Sequence, residues 1–177
     1  MTSVGIEVTE TREEAVRELL LERLPAAYRT AGCILRDPIA AEDAVQEAAL
    51  RAWAKRRELR DPARADAWFG RIVVNVCRAE LARSKPVRLE LAPARAVDPN
   101  DTLATRDETA RAIARLTPDE QVVVALRFGR DMTVPAIAAY AGLREGTVKS
   151  RLHSAQEHLR AAFEAEWRAD DDVEVRR

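Results

Sequence analysis

Glycine and aromatic residues are both scarce here, with 6 Gly and 5% Phe, Trp and Tyr in 177 residues. Twisted sheets draw on aromatic and β-branched side chains, so this scarcity, beside a 47% apolar content heavy in Ala and Leu, favours closely packed helices. Cysteine is limited to Cys33 and Cys77. They do not form a C-x-x-C pair and each lies in a helical apolar pattern, so they read as small buried hydrophobes rather than as a disulfide or redox pair. Also missing are an apolar run of roughly 18 residues and a basic segment followed by a cleavable apolar stretch. Neither a membrane span nor a secretory signal is therefore expected, and the chain reads as cytoplasmic.

An excess of positive charge is lacking as well. Lys and Arg number 29 against 30 Asp and Glu, for a formal net charge of -1. Non-specific grip on DNA comes mainly from phosphate neutralisation by Lys and Arg. A chain balanced in this way would hold DNA through local basic surface, or borrow affinity from a larger partner.

What is present is helical periodicity in two blocks. The first ten residues show no useful periodicity and read as a mobile tail. Thr11-Arg12-Glu13-Glu14 has the form of a capping box, and Leu19, Leu20, Leu24, Tyr28 and Cys33 then supply an apolar stripe as far as Ile34. Pro25 predicts a kink or brief break within it. Asp37-Pro38 punctuates, and a second helix runs from near Ala40 to Trp53 with Val45, Ala49, Ala52 and Trp53 on its packed face. Asp43, Gln46 and Glu47 point away from that face at spacings of three and four. Lys55 to Arg64 is charged and interrupted by Asp61-Pro62, which predicts an irregular loop. Helix resumes near Ala65 with Trp68, Phe69, Ile72, Val73, Val76 and Leu81, and Trp68 reads mainly as core.

From Pro86 to Thr105 the chain carries Pro93 and Pro99 as well and has little helical order. A stretch of about twenty residues of this kind exceeds what a compact domain uses internally, so the boundary falls here. The expected fold class is all-α, as two small helical domains joined by a flexible linker: 11–85, the linker 86–106, and 107–167. In the second domain, Asp107 to Leu116 predicts a helix. Thr117-Pro118-Asp119-Glu120 marks a new helix start, followed by the apolar side Val122, Val123, Leu126 and Phe128. A short helix with Val134, Ile137, Ala138 and Ala141 meets Gly142-Leu143, and a long helix from Glu145 to Trp167 repeats Val148, Leu152, Ala155 and Leu159 toward the core. The Asp170-Asp171-Asp172 run reads as a solvated, frayed tail.

Thr133 to Leu159 therefore has the pattern of a helix-turn-helix, with Gly142 suited to the left-handed turn and Leu143 to the angle between the helices. With Val148 and Leu152 inward, the outer surface carries Arg144, Thr147, Lys149, Ser150, Arg151 and Ser154. Arg and Lys reach guanine edges or phosphates, and small hydroxyl side chains permit close approach to a major groove. A plain helical hairpin with a solvated face is the competing reading. His153 and His158 are five apart and do not share a face, so no metal site is expected. No Gly-rich phosphate loop or paired nucleophile and base stands out, so neither a cofactor nor a catalytic residue is expected.

Three segments in order carry a resemblance to a known family. Ala41-Glu42-Asp43-Ala44-Val45-Gln46-Glu47-Ala48-Ala49-Leu50-Arg51-Ala52-Trp53, Ala67-Trp68-Phe69-Gly70-Arg71-Ile72-Val73-Val74-Asn75 and Glu145-Gly146-Thr147-Val148-Lys149-Ser150-Arg151-Leu152 resemble the extracytoplasmic-function class of bacterial sigma factors. That class consists of sigma-70 members reduced to regions 2 and 4, and the resemblance covers about 16 to 85 and 107 to 165. It implies a subunit that brings RNA polymerase to promoter DNA, assists local melting and performs no covalent chemistry. It further implies that Asp43, Gln46 and Glu47 dock on the clamp helices of the core polymerase. Arg71, Asn75 and Arg78 would contact the -10 element, and the Lys55 to Ala65 loop would receive a flipped base. The Arg144 to Ser154 surface would read the -35 element, the second domain would also touch the polymerase flap, and an anti-sigma protein is a further partner that the family admits. Borrowed polymerase surface would then account for the net charge. The sequence departs from the family at Arg144, where a capping Ser is common, and at Ala79, where an acidic residue is common. A stand-alone helix-turn-helix regulator is the alternative, and the first domain is what separates the two.

Overall fold

The computed structural model describes the backbone of residues 3–83 and 103–174, and among these every regular element is a helix. Three helices form the N-terminal group: α1 (Ser3–Leu35), α2 (Pro38–Ala54) and α3 (Ala65–Arg83). Four form the C-terminal group: α4 (Leu103–Ala114), α5 (Pro118–Val124), α6 (Val134–Ala141) and α7 (Glu145–Glu174).

Local chemistry accounts for most of the boundaries. The Asp37 carboxylate accepts from the backbone N–H groups of Ile39 and Ala40, and Pro38 sits in the first turn, where its missing N–H costs nothing. Between α2 and α3 the charged stretch forms two single 3-10 turns, Arg56–Glu58 and Pro62–Arg64, the second capped by Asp61. At α5 the capping box is complete: Glu120 N–H donates to the Thr117 hydroxyl and the Glu120 carboxylate accepts from Thr117 N–H. The backbone then widens into a π turn over Ala125–Gly129, which the apolar pattern did not foretell.

Several expectations are corrected. Backbone helix begins at Ser3, so residues 3–10 form no separate tail and Thr11 to Glu14 lies inside α1 rather than at its start. Helix continues through Pro25 without a break. The buried stripe of α2 is Ala41, Ala44, Val45, Ala48 and Ala52; Trp53 lies at its edge, 37% exposed, with the Arg56 guanidinium 4.7 Å from the ring centroid. Phe128 is 68% exposed, because the π turn rotates it out of the stripe that Val122, Val123 and Leu126 keep. α4 starts at Leu103 and claims residues that the proline pattern assigns to the linker; the rest of that linker, 86–102, lies outside the described residues. α7 carries helix through Asp170, Asp171 and Asp172 to Glu174.

α6 packs on α3, and the π turn packs on α1. One apolar cluster runs from Ile34, Phe69 and Val73 of the first group into Leu126, Ile137 and Val148 of the second. The two helical groups thus share a seam.

Candidate nucleic-acid and polymerase interfaces

Three surfaces carry the residues singled out by the sequence. On α2, Asp43, Gln46 and Glu47 are exposed on the side opposite the buried alanine stripe. Glu47 holds Arg51 at 2.6 Å one turn on, and Gln46 lies 3.5 Å from the Glu42 carboxylate. Pairs of this kind, exposed at both ends, contribute little to stability and exchange easily for an intermolecular partner. Two further exposed apolar side chains, Ile39 and Leu50, flank the acidic row. Sequence reasoning passed over them because an apolar residue in a helix reads by default as core.

On α3, Arg71, Asn75 and Arg78 fall at spacings of four and three and so form one stripe. The Arg78 guanidinium donates to the Asn75 amide oxygen at 2.8 Å and to the Asp119 carboxylate at 3.3 Å. Arg71 lies beside Gly142, so closely that a Cβ on that glycine would collide with its side chain. The same close approach recurs at Gly70, whose missing Cβ leaves room for the Tyr140 ring.

The helix-turn-helix is formed as its pattern predicts. Thr133 caps α6 through Ala136 N–H, with Pro135 in the first turn. Gly142 takes φ 67°, and Leu143 N–H reaches back to the Ala138 carbonyl at 2.8 Å, which closes the helix end. At the start of α7 the backbone carbonyl of Arg144 accepts from Val148 N–H at 3.1 Å, so this position serves the helix through its main chain. Val148 and Ala155 are buried, and Leu152 and Leu159 are half-buried. Arg144, Lys149 and Ser150 are exposed, Thr147 and Ser154 are half-buried, and the Ser150 hydroxyl donates to the Thr147 carbonyl at 3.0 Å. Arg151 differs from its neighbours, because its guanidinium is held 2.7 Å from the Asp119 carboxylate.

The titratable groups nearby are structural. Burial opposes the charge on Glu120, but hydrogen bonds from the Thr117 backbone and hydroxyl, with His158 alongside at 3.1 Å, hold its carboxyl below the usual range. Burial pushes the Cys77 thiol up to about 12, and Cys33 is raised by burial too; both are free. No group of three or more His, Cys, Asp or Glu among the described residues has the arrangement of a metal site, and no described helix is long and apolar enough to cross a membrane.

Comparison with known proteins gives concordant matches. Residues 19–86 match the model of Sigma-70 region 2, and residues 112–161 match that of Sigma-70, region 4. The RNA polymerase sigma-E factor of Streptomyces antibioticus is 32% identical over 151 residues, covering 83% of both chains. The ECF RNA polymerase sigma factor SigL of Mycobacterium tuberculosis is 33% identical over 159 residues, covering 84% of this chain and 89% of its own. Among solved structures, CnrH in complex with the cytosolic domain of CnrY aligns with a TM-score of 0.59 at 25% identity, over 86% of this chain and 89% of that one. The sigma factor RpoE of Bartonella quintana, solved with the anti-sigma factor NepR, aligns with a TM-score of 0.56 at 24% identity over 85% and 98%.

Proposed function

The chain belongs to the extracytoplasmic-function class of the sigma-70 family, whose members direct promoter recognition and transcription initiation, and from that premise we propose how its surfaces divide the work. α2 docks on the clamp helices of core RNA polymerase through Asp43, Gln46 and Glu47. The α3 stripe Arg71, Asn75 and Arg78 contacts the -10 element, where melting requires a surface that replaces lost base stacking. The face Arg144, Thr147, Lys149, Ser150, Arg151 and Ser154 reads the -35 element in a major groove. Residues 11–85 and 107–167 serve as the two readers, and their linkage raises the effective concentration of the second once the first has bound. The second reader also meets the polymerase flap. The chemistry of RNA synthesis stays in the polymerase, which requires of this subunit position and selectivity only.

The observation that carries the docking assignment is the division of α2 into a buried alanine row and an exposed acidic and amide row. Carboxylates and amides fixed on a packed helix match basic partners and set orientation. An anti-sigma protein is a further partner, since the RpoE and CnrH relatives were each solved in a complex and NepR is an anti-sigma factor. Reconstituted transcription with core polymerase tests the reading. The chain is expected to support initiation at defined start sites, and the combined Gln46→Ala and Glu47→Ala change to weaken core binding about tenfold or more, as loss of well-placed interface charge does. Undiminished core association of the double variant would remove the docking assignment.

A further inference from the structure

The charged stretch between α2 and α3 forms only two single 3-10 turns, yet both of its ends are tied to α1. At the entrance one oxygen of the Glu13 carboxylate takes the Arg56 guanidinium twice, from Nε at 2.9 Å and from Nη2 at 2.7 Å. The remaining nitrogen, Nη1, donates to the Trp53 carbonyl at 3.1 Å, and the guanidinium carbon lies 4.7 Å from the Trp53 ring centroid. At the exit Arg23 of α1 donates through Nε to Asp66 at 2.6 Å and through Nη1 to the Leu19 carbonyl at 3.0 Å. Between the two anchors Leu59 is buried in the apolar cluster.

Both pairs join residues 43 apart in the chain, and Glu13 and Arg23 stand about 15 Å apart along α1 by the rise of a helix. The charges are opposed at the two ends, with the acid on α1 at the entrance and the base on α1 at the exit. A loop shifted along α1 would therefore bring neither pair together. The side chains of Arg23 and Arg56 are each 24% exposed, against 84% for Arg64 on the stretch between them, so the two hold backbone in place rather than present charge outward. What the stretch does present is Arg57 and Arg60, both exposed.

A loop that receives an extruded base has to keep its shape while that base leaves the stack, and every residue ordered only on binding costs affinity. We propose that Glu13 and Arg23 are positioning residues for base capture: α1 pre-sets the Lys55 to Ala65 loop through Arg56 and Asp66 while touching no DNA itself. The inference rests on the reading of that loop as the receiver of a flipped -10 base. Arg57 and Arg60 on the fixed turns then meet the phosphates beside the captured base.

The test uses the chain bound to core polymerase. Its probe is a fluorescent single strand carrying the non-template -10 segment of a start site mapped by reconstituted transcription, compared with a series in which each base in turn is abasic. The parent is expected to lose about tenfold in affinity at one position, on the scale of one stacked base. Glu13→Gln and Arg23→Gln are each expected to cut that ratio to about threefold, with affinity for the abasic strand unchanged. One variant removes a negative charge and the other a positive one, so a plain electrostatic effect would move overall affinity in opposite directions. A merely loosened fold would weaken both strands alike. Glu14→Gln, on the exposed neighbour of Glu13, is expected to keep the full ratio. In an Arg56→Ala background Glu13→Gln is expected to add nothing, because the two act as a unit.

A full ratio retained by both Glu13→Gln and Arg23→Gln would overturn the positioning role. So would a ratio that falls with Arg56→Ala and not with Glu13→Gln, since Arg56 would then be a DNA contact in its own right. A parent chain with no sensitive position in the abasic series would remove the base-capture reading and this inference with it. The sigma assignment is judged separately, by whether the parent chain initiates with core polymerase.

Discussion

Glu120 shows how a single buried carboxylate reports on its own surroundings. Only 5% of it is exposed, and it accepts from Thr117 N–H at 2.9 Å with His158 at 3.1 Å. Its carboxyl is held below the ordinary value of 4.5, so its contribution is complete above that value and fades as the pH falls through the lowered folded one. Glu120→Gln is expected to destabilise the protein by about 1–2 kcal/mol near neutral pH. Thermal melts should show the gap between parent and variant narrowing as the pH drops below about 4; a gap independent of pH would mean that the charge has no part in it. The capping role of this residue was legible from Thr-Pro-Asp-Glu alone. Its pairing with His158 was not, because a contact from α5 to α7 depends on how the helices cross. Similar reasons hid the fates of Trp53 and Phe128, where apolar character suggested core and the edge of α2 and the π turn left them partly in water.

At the scale of elements, short-range chemistry was the dependable guide. Pro-containing starts at Pro38, Pro118 and Pro135 and the glycine end at Gly142 all lie where residue type demands. Helix lengths at the margins were less readable, since caps and periodicity gave no stop signal near Ser3, and acidic residues at 170–172 suggested solvent where helix continues. The turn before α7 offers a direct check. Gly142 combines φ 67° with contact against Arg71, so Gly142→Ala is expected to cost roughly 1–2 kcal/mol through backbone strain and crowding together. Urea denaturation would measure it, and a loss of only a few tenths would show that the turn relaxes. The candidate DNA face of α7 was readable residue by residue as exposed or half-buried, and the exception was Arg151, whose partner Asp119 lies 32 residues away.

For the molecule as a whole, two helical groups were foreseeable and their union was not. Proline punctuation between Pro86 and Pro99 marks a division, but nothing in a periodic pattern says which outer faces will meet. Small residues made the meeting feasible: Gly70 accepts an aromatic ring, and Ala138 and Ala141 let α6 approach α3. The apolar cluster that crosses from Val73 to Ile137 has a calorimetric meaning. Heat should melt this chain as one cooperative unit, with equal van't Hoff and measured enthalpies, despite its two-part plan. Tyr140→Ala, which removes the ring bridging the groups, is expected to split the endotherm into two smaller peaks; a single unshifted peak with equal enthalpies would mean that the ring has no part in joining the two halves.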